Sequence, residues 1–182
     1  MTALAPRSLA RATGFVYLAY FTVAVSGLLL VHWKMVPGIA ADSLSNVLYG
    51  ATTLLLYRLL RPVSGPLALA ALGFSALGLA TDTLQNLHLI GHAVSPLFFF
   101  GFFCILLGVL ILRSRFLPHW LAPPLMAAGV GWLVYLIPHV ALYGKYVIFP
   151  LGFIAEFELM LWLVIKGVDE ARWLSVSSRS QG

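Results

Sequence analysis

Residues 147–167 read VIFPLGFIAEFELMLWLVIKG, and this stretch decides the fold. About 20 consecutive apolar residues carry a helix across a bilayer, and here the run is broken only by Pro150 near its start and by two carboxylates, Glu156 and Glu158. A charge at membrane depth is unfavourable by ~2.5–3.5 kcal/mol on insertion scales, so such residues face a cavity or a partner inside a bundle rather than lipid. Residues 71–90, ALGFSALGLATDTLQNLHLI, repeat the pattern with Asp82. The chain holds only 6 Asp and Glu in 182 residues. Half of its acids therefore stand inside apolar runs, and they are where function is sought first.

Composition agrees with this reading. The chain is 61% hydrophobic and 9% charged, with a mean hydropathy of +0.97, whereas soluble domains carry about 25% charged residues. An all-α, polytopic membrane bundle is expected, forming a single helical domain over residues 1–182. Six spans are expected at roughly 13–33, 41–60, 65–90, 94–112, 118–138 and 146–166, joined by short connections rich in proline and glycine: KMVPGIAAD, RPVSGP, GHAVSP, RSRFLPHW and PHVALYGK. The net charge of +5 is read as a topology signal and not as a nucleic-acid footprint. With the first residue inside, Arg7, Arg11, Arg58, Arg61, Arg113, Arg115, Lys166, Arg172 and Arg179 are all cytoplasmic and only Lys34 and Lys145 are outside. Both termini are then cytoplasmic and the localisation is multi-pass in the cell membrane. The first span is followed by HWK rather than by a small-residue cleavage site, so it reads as an anchor that stays. The single cysteine, Cys104, excludes an intrachain disulfide. Oligomeric state is not readable.

Polar residues recur at helical spacing. Asp42, Asn46, Tyr49 and Thr53 share one face of span two; Ser75, Asp82, Gln85 and Asn86 share one of span three; Trp132, Tyr135 and His139 share one of span five. Counting the helical rise from the outer surface puts Asp82 ~13 Å deep, with Glu156 and Tyr49 at similar depth, as one polar layer. Glu156 and Glu158 are two apart and point to different sides of their helix. Interhelical hydrogen-bond glue explains many such residues in membrane bundles; the carboxylates are harder to explain that way. Asp82 and Glu156 are the candidate catalytic pair. Asp42, Asn46, Tyr49, Gln85, Asn86, Trp132, Tyr135 and Glu158 are candidate substrate-binding residues. His88 and His92 have the i, i+4 spacing of metal ligands but stand at the outer interface without an H-E-x-x-H pattern, so no metal is expected. Asp169 and Glu170 read as solvated tail.

Four segments carry a resemblance: ARATGFVYL in the first span, LYRLLRPVSGPLALAALG at 56–73, LGVLILRSRFLP at 107–118 and EFELMLWLVIKG at 156–167. Together they resemble a bacterial family of small multi-span membrane proteins that has no assigned function. Glu156 occupies the glutamate of the last phrase, which favours it over Glu158. The chain departs from this pattern in a short outer loop between spans one and two and in the acidic-polar ATDTLQNLH. A second likeness is architectural: small bundles with paired intramembrane acids resemble the membrane-bound terpene cyclases.

These readings converge on an enzyme acting on a lipophilic isoprenoid drawn from the bilayer, with acid-initiated cyclisation as its chemistry. Burial favours the neutral form of a carboxyl, so one acid protonates an epoxide or alkene while the other holds water or faces the cation. Aromatic rings such as Tyr49, Trp132 and Tyr135 shield the cation. No DDxxD-like or glycine-rich phosphate motif is present, and no cofactor is expected. A small proton-linked transporter is the first alternative, since buried carboxylates also relay protons. A non-catalytic membrane scaffold is the second.

Overall fold

The computed structural model describes residues 5–32 and 38–179. Trp33 and Lys34 lie outside them. Seven α-helices follow in order: α1 Pro6–His32, α2 Gly38–Leu60, α3 Gly65–Asn86, α4 Pro96–Ser114, α5 Ala122–Tyr135, α6 Pro138–Ile165 and α7 Glu170–Arg179, with a single 3-10 turn, His119–Leu121, before α5. No strand occurs among the described residues.

Four helices are long and apolar enough to cross a membrane: Pro6–Leu30 of α1, Gly65–Asn86, Pro96–Ser114, and Tyr146–Ile165 of α6. The expected spans at 41–60 and 118–138 do not reach that standard. The α2 helix is long enough, but Asp42, Ser43, Ser45, Asn46, Thr52 and Thr53 dilute its hydropathy. The α5 helix has only 14 residues. Its expected run to residue 138, with His139 on its face, is corrected by the structure. Helix α5 ends at Tyr135, and Pro138, which suits a first helical turn, opens α6. The PHVALYGK connection is therefore helical, and His139 belongs to α6 rather than to a face shared with Trp132 and Tyr135.

Packing follows chain order. Each of the first six helices lies against its sequence neighbours, and α6 closes the ring on α1. Small residues allow the closest approaches. A Cβ on Gly129 would stand 2.6 Å from the Gly101 carbonyl oxygen across the α4–α5 crossing, and one on Gly14 would stand 2.6 Å from the Val164 nitrogen across α1–α6. Membrane helices associate largely through such backbone proximity. The core fills one half of the ring, with Leu59, Leu107, Leu110, Leu121, Leu125, Leu159 and Leu163 all essentially inaccessible. Outward, Leu28 (73% exposed), Val47 (69%), Leu69 (59%) and Val147 (67%) leave broad apolar surface. Contiguous surface of this kind is rare on soluble monomers and suits lipid.

One end of the ring gathers the basic residues. The Arg7 amide donates to Glu170 Oε1 (3.2 Å), Arg172 Nη1 to the Arg115 carbonyl (3.2 Å), and Trp173 Nε1 to the Leu59 carbonyl (2.9 Å). These bonds tie the start of α1 and the ends of α2 and α4 to the segment after α6. Asp169 and Glu170 are exposed, as expected, but they belong to a folded-back segment and not to a loose tail. Asp169 Oδ1 caps α7 by accepting from the Arg172 amide at 3.1 Å, and Gly167 (φ 72) makes the turn that lets the chain fold back. The packing half of the ring lies toward this basic end; the opposite half holds a cavity.

Candidate functional site

The cavity measures about 520 Å³ and is lined from α1, α2, α3, α4, α5 and α6. Its walls include Asp42, Asn46, Tyr49, Asp82, Asn86, Trp132 and Glu156, seven of the residues singled out by the sequence. Two of the three carboxylates that interrupt apolar runs, Asp82 on α3 and Glu156 on α6, therefore border a common space.

Each carboxylate is held differently. Glu156 receives one phenol on each oxygen: Tyr17 donates to Oε2 at 2.7 Å and Tyr49 to Oε1 at 3.2 Å. Tyr17 is fully buried and Tyr49 nearly so. Asp82 receives two amides on the same oxygen, Asn46 Nδ2 at 2.8 Å and Asn86 Nδ2 at 3.1 Å, both on Oδ2. Asn46 also donates to Thr83 Oγ1 at 3.1 Å, which fixes its amide against α3. Two-point support of a carboxylate by donors on separate helices is more than packing requires, and it orients both groups.

The acids stand at two levels and not in the single layer expected. Their partners on α2, Asn46 and Tyr49, are three residues apart, so Glu156 lies about 4.5 Å farther along that helix than Asp82. The reason is the early end of α3. It stops at Asn86 rather than near residue 90, which leaves Asp82 about 6 Å from the helix end instead of ~13 Å. Exposed Asp42 lies with Asp82 toward the mouth, and Glu156 with Tyr49 forms the floor, Tyr17 standing behind them outside the cavity walls.

The walls between are aromatic. Tyr20 and Tyr49 approach to 4.8 Å between ring centroids, Tyr49 meets Phe100 edge-on at 5.5 Å, and Tyr17 meets Tyr49 at 6.1 Å. Trp132 enters because Gly152 makes room for it; a Cβ there would lie 2.5 Å from the indole ring. Among the described residues no Lys, Arg or His lines the cavity.

Three of the expected binding residues stand elsewhere. Gln85 is buried, and its amide donates to the carbonyls of Val94 (2.7 Å) and Gly91 (3.3 Å), so it clamps the α3–α4 connection. Tyr135 packs on Phe149 at 5.4 Å. Glu158 is outside the cavity walls. Conversely, Tyr17 and Tyr20 were not among the sequence candidates. A tyrosine at mid-span in an apolar helix needs a partner for its hydroxyl, and that signal was present in GFVYLAYF. Among the described residues no group of three or more His, Cys, Asp or Glu side chains is placed to hold a metal.

Comparison with known proteins adds a family. Residues 79–167 match the model of a domain of unknown function, DUF4386. That span contains Asp82, Trp132 and Glu156 but not the α1 and α2 partners Tyr17, Asn46 and Tyr49. An uncharacterized protein of Archaeoglobus fulgidus is 33% identical over 121 residues, which cover 62% of this chain and 72% of the relative. No solved structure matches.

Proposed function

The chain belongs to the family that carries the DUF4386 domain of unknown function, and we propose that this member is a multi-pass cell-membrane enzyme that binds a lipophilic isoprenoid in its cavity and cyclises it by acid catalysis. The observation that carries the proposal is the pairing of Asp82 and Glu156 in the walls of one aromatic-lined cavity of about 520 Å³, a size within the range of small-molecule sites.

The hydrogen bonds suggest the division of labour. Both donors to Asp82 fall on Oδ2, and in the proposed reaction Oδ1 is the oxygen turned to the substrate. Glu156 has a donor on each oxygen, the arrangement that suits an ionised acceptor. In the proposed reaction Asp82 gives its proton to an epoxide oxygen, the C–O bond breaks, and the π electrons of a neighbouring alkene form the new C–C bond. The resulting cation, flanked by Tyr20, Tyr49 and Trp132, loses a proton to the Glu156 carboxylate. The product is an isomer of the substrate, and no oxidant or reductant is consumed.

In this proposal all six of the first helices cross the bilayer with the basic end in the cytoplasm, and α2 and α5 are carried by their neighbours. The test of the activity is co-expression with prenylated or epoxidised precursors and mass spectrometry of the extracts. Conversion by the parent and its loss in both Asp82→Asn and Glu156→Gln, at unchanged expression, is the expected result. Full product from both variants rejects the roles assigned to these acids.

A second reading has its own support. Two separately held carboxylates on the walls of one cavity, with no basic residue beside them among the described residues, also suit a proton-linked transporter. Uptake into proteoliposomes that depends on an imposed pH gradient would favour it over cyclisation.

A further inference from the structure

At the opposite end of the ring from the acidic cavity, two adjoining clefts of about 370 and 460 Å³ share Arg115 and Arg172 in their walls. Lys166 and Trp162 line the first cleft, and His119 and Ser175 the second. The clefts are formed where α4 ends, the 3-10 turn begins and α7 folds back.

The electrostatics here are incomplete. Among the described residues the only ion pair is Arg172 with Asp169, Nε to Oδ2 at 3.2 Å. Arg115 and Lys166, both exposed, have no acidic partner. Arg172 spends one further N–H on the Arg115 carbonyl at 3.2 Å. A guanidinium has five N–H donors, so most of its fork is left for a ligand while its position is fixed.

Arg115 adds a second, independent sign. It ends α4 with φ 58, in the left-handed region. Glycine is the usual residue there, because a side chain in that region is strained. Strained backbone tends to persist where it serves a function. An arginine stands at this glycine position, and it lines both clefts.

The surroundings identify the source of the ligand. Trp120 (51% exposed) meets Trp162 edge-on at 5.8 Å, and Ile165 (61%) and Leu174 (56%) are exposed beside them. Tryptophans and exposed aliphatic residues at the ends of apolar helices belong to the level of lipid headgroups. A short terminal helix, α7, lies across this end with Trp173 anchored under it.

We infer that the Arg115–Arg172–Lys166 clefts bind the phosphate of an anionic phospholipid headgroup. Basic pockets between helices at a membrane surface are suited to such headgroups. The site is separate from the acidic cavity, and its test does not depend on the activity proposed above.

The experiment is native mass spectrometry of the purified full chain with phosphatidylglycerol or phosphatidylcholine, for the parent and for Arg115→Gly, Arg172→Gln and Arg58→Gln. The parent should retain phosphatidylglycerol in preference to phosphatidylcholine. Arg115→Gly and Arg172→Gln should each weaken retention by about fivefold, the effect of one basic residue at a membrane surface. Arg58→Gln, which removes a basic residue that does not line the clefts, should bind as the parent does. Arg115→Gly should also melt at or above the parent temperature, because glycine relieves the left-handed strain, so loss of lipid there is not loss of fold. The inference is overturned if Arg115→Gly retains the lipid fully, if Arg58→Gln loses it equally, or if excess inorganic phosphate displaces it, which would make the clefts a site for free phosphate.

Discussion

Tyr17 and Tyr49 bear on Glu156 through single oxygen atoms, so their contribution is separable from packing. Phenylalanine keeps the ring contacts and removes only the hydroxyl. Tyr17→Phe and Tyr49→Phe should each destabilise the protein by about 1–2 kcal/mol, between the mean for membrane hydrogen bonds and that for bonds to charged groups. Tyr17→Phe should cost more, given 2.7 Å against 3.2 Å. Because both phenols act on one carboxylate, the double variant should be non-additive. Denaturation in mixed micelles with added SDS measures all three, and strictly additive losses would show that the phenols do not share an acceptor. At this scale the sequence was informative about acids and less so about their partners. Asp82 and Glu156 stood out because a charge in an apolar run has few innocent explanations. Tyr17 looked like one more aromatic in a greasy helix, since only the fold brings α1 against α6. Gln85 illustrates the opposite error. Its spacing puts it on the face of Asp82, but periodicity is blind to a loop that folds back and offers carbonyls to its amide.

At the scale of elements, the crossing of α4 and α5 depends on two glycines with facing backbones. A methyl group at Gly129 would meet a carbonyl oxygen that cannot rotate away, at 2.6 Å. Gly129→Ala should cost about 1–3 kcal/mol through overpacking. Gly73, in α3, has nothing within 4 Å of its would-be Cβ. There the same substitution should be neutral or gain up to about 1 kcal/mol from helix propensity. Thermal unfolding in detergent, monitored side by side, checks the pair; equal effects would mean that neither local space nor the crossing governs the response. Helix starts were readable where capping chemistry is local: Ser95 precedes Pro96, and its Oγ accepts from the Leu97 amide at 3.3 Å. The α5–α6 junction was not, because LIPHV contains one proline and no glycine, and an apolar run on both sides reads as continuous.

For the whole molecule, closure of the ring places the basic residues at one end and the acidic cavity toward the other. If the basic end faces the cytoplasm, a cysteine replacing Gly91, whose Cβ position is open, should react with a membrane-impermeant maleimide on intact cells. One replacing exposed Ser178 should react only after permeabilisation. Cys104 is 1% exposed and should stay silent in both, so the native cysteine does not disturb the readout. Labelling of both new positions from the same side would refute the six-span arrangement. The asymmetry of charge was legible from Lys and Arg alone, because it needs only helix order. The closing contact of α6 on α1 was not, since it joins residues far apart in the chain and depends on Gly14 being small.

The polarity of α2 has a consequence for biogenesis. The helix that supplies Asn46 to one acid and Tyr49 to the other is not among the four that are apolar enough to cross a membrane by their own composition. In the six-span arrangement proposed above, its retention in lipid draws on the following segment, α3, whose Asp82 in turn gains Asn46 as a donor. Each member of that hairpin shelters the polar group that would hinder the other, so in that arrangement the two enter the bilayer as a unit.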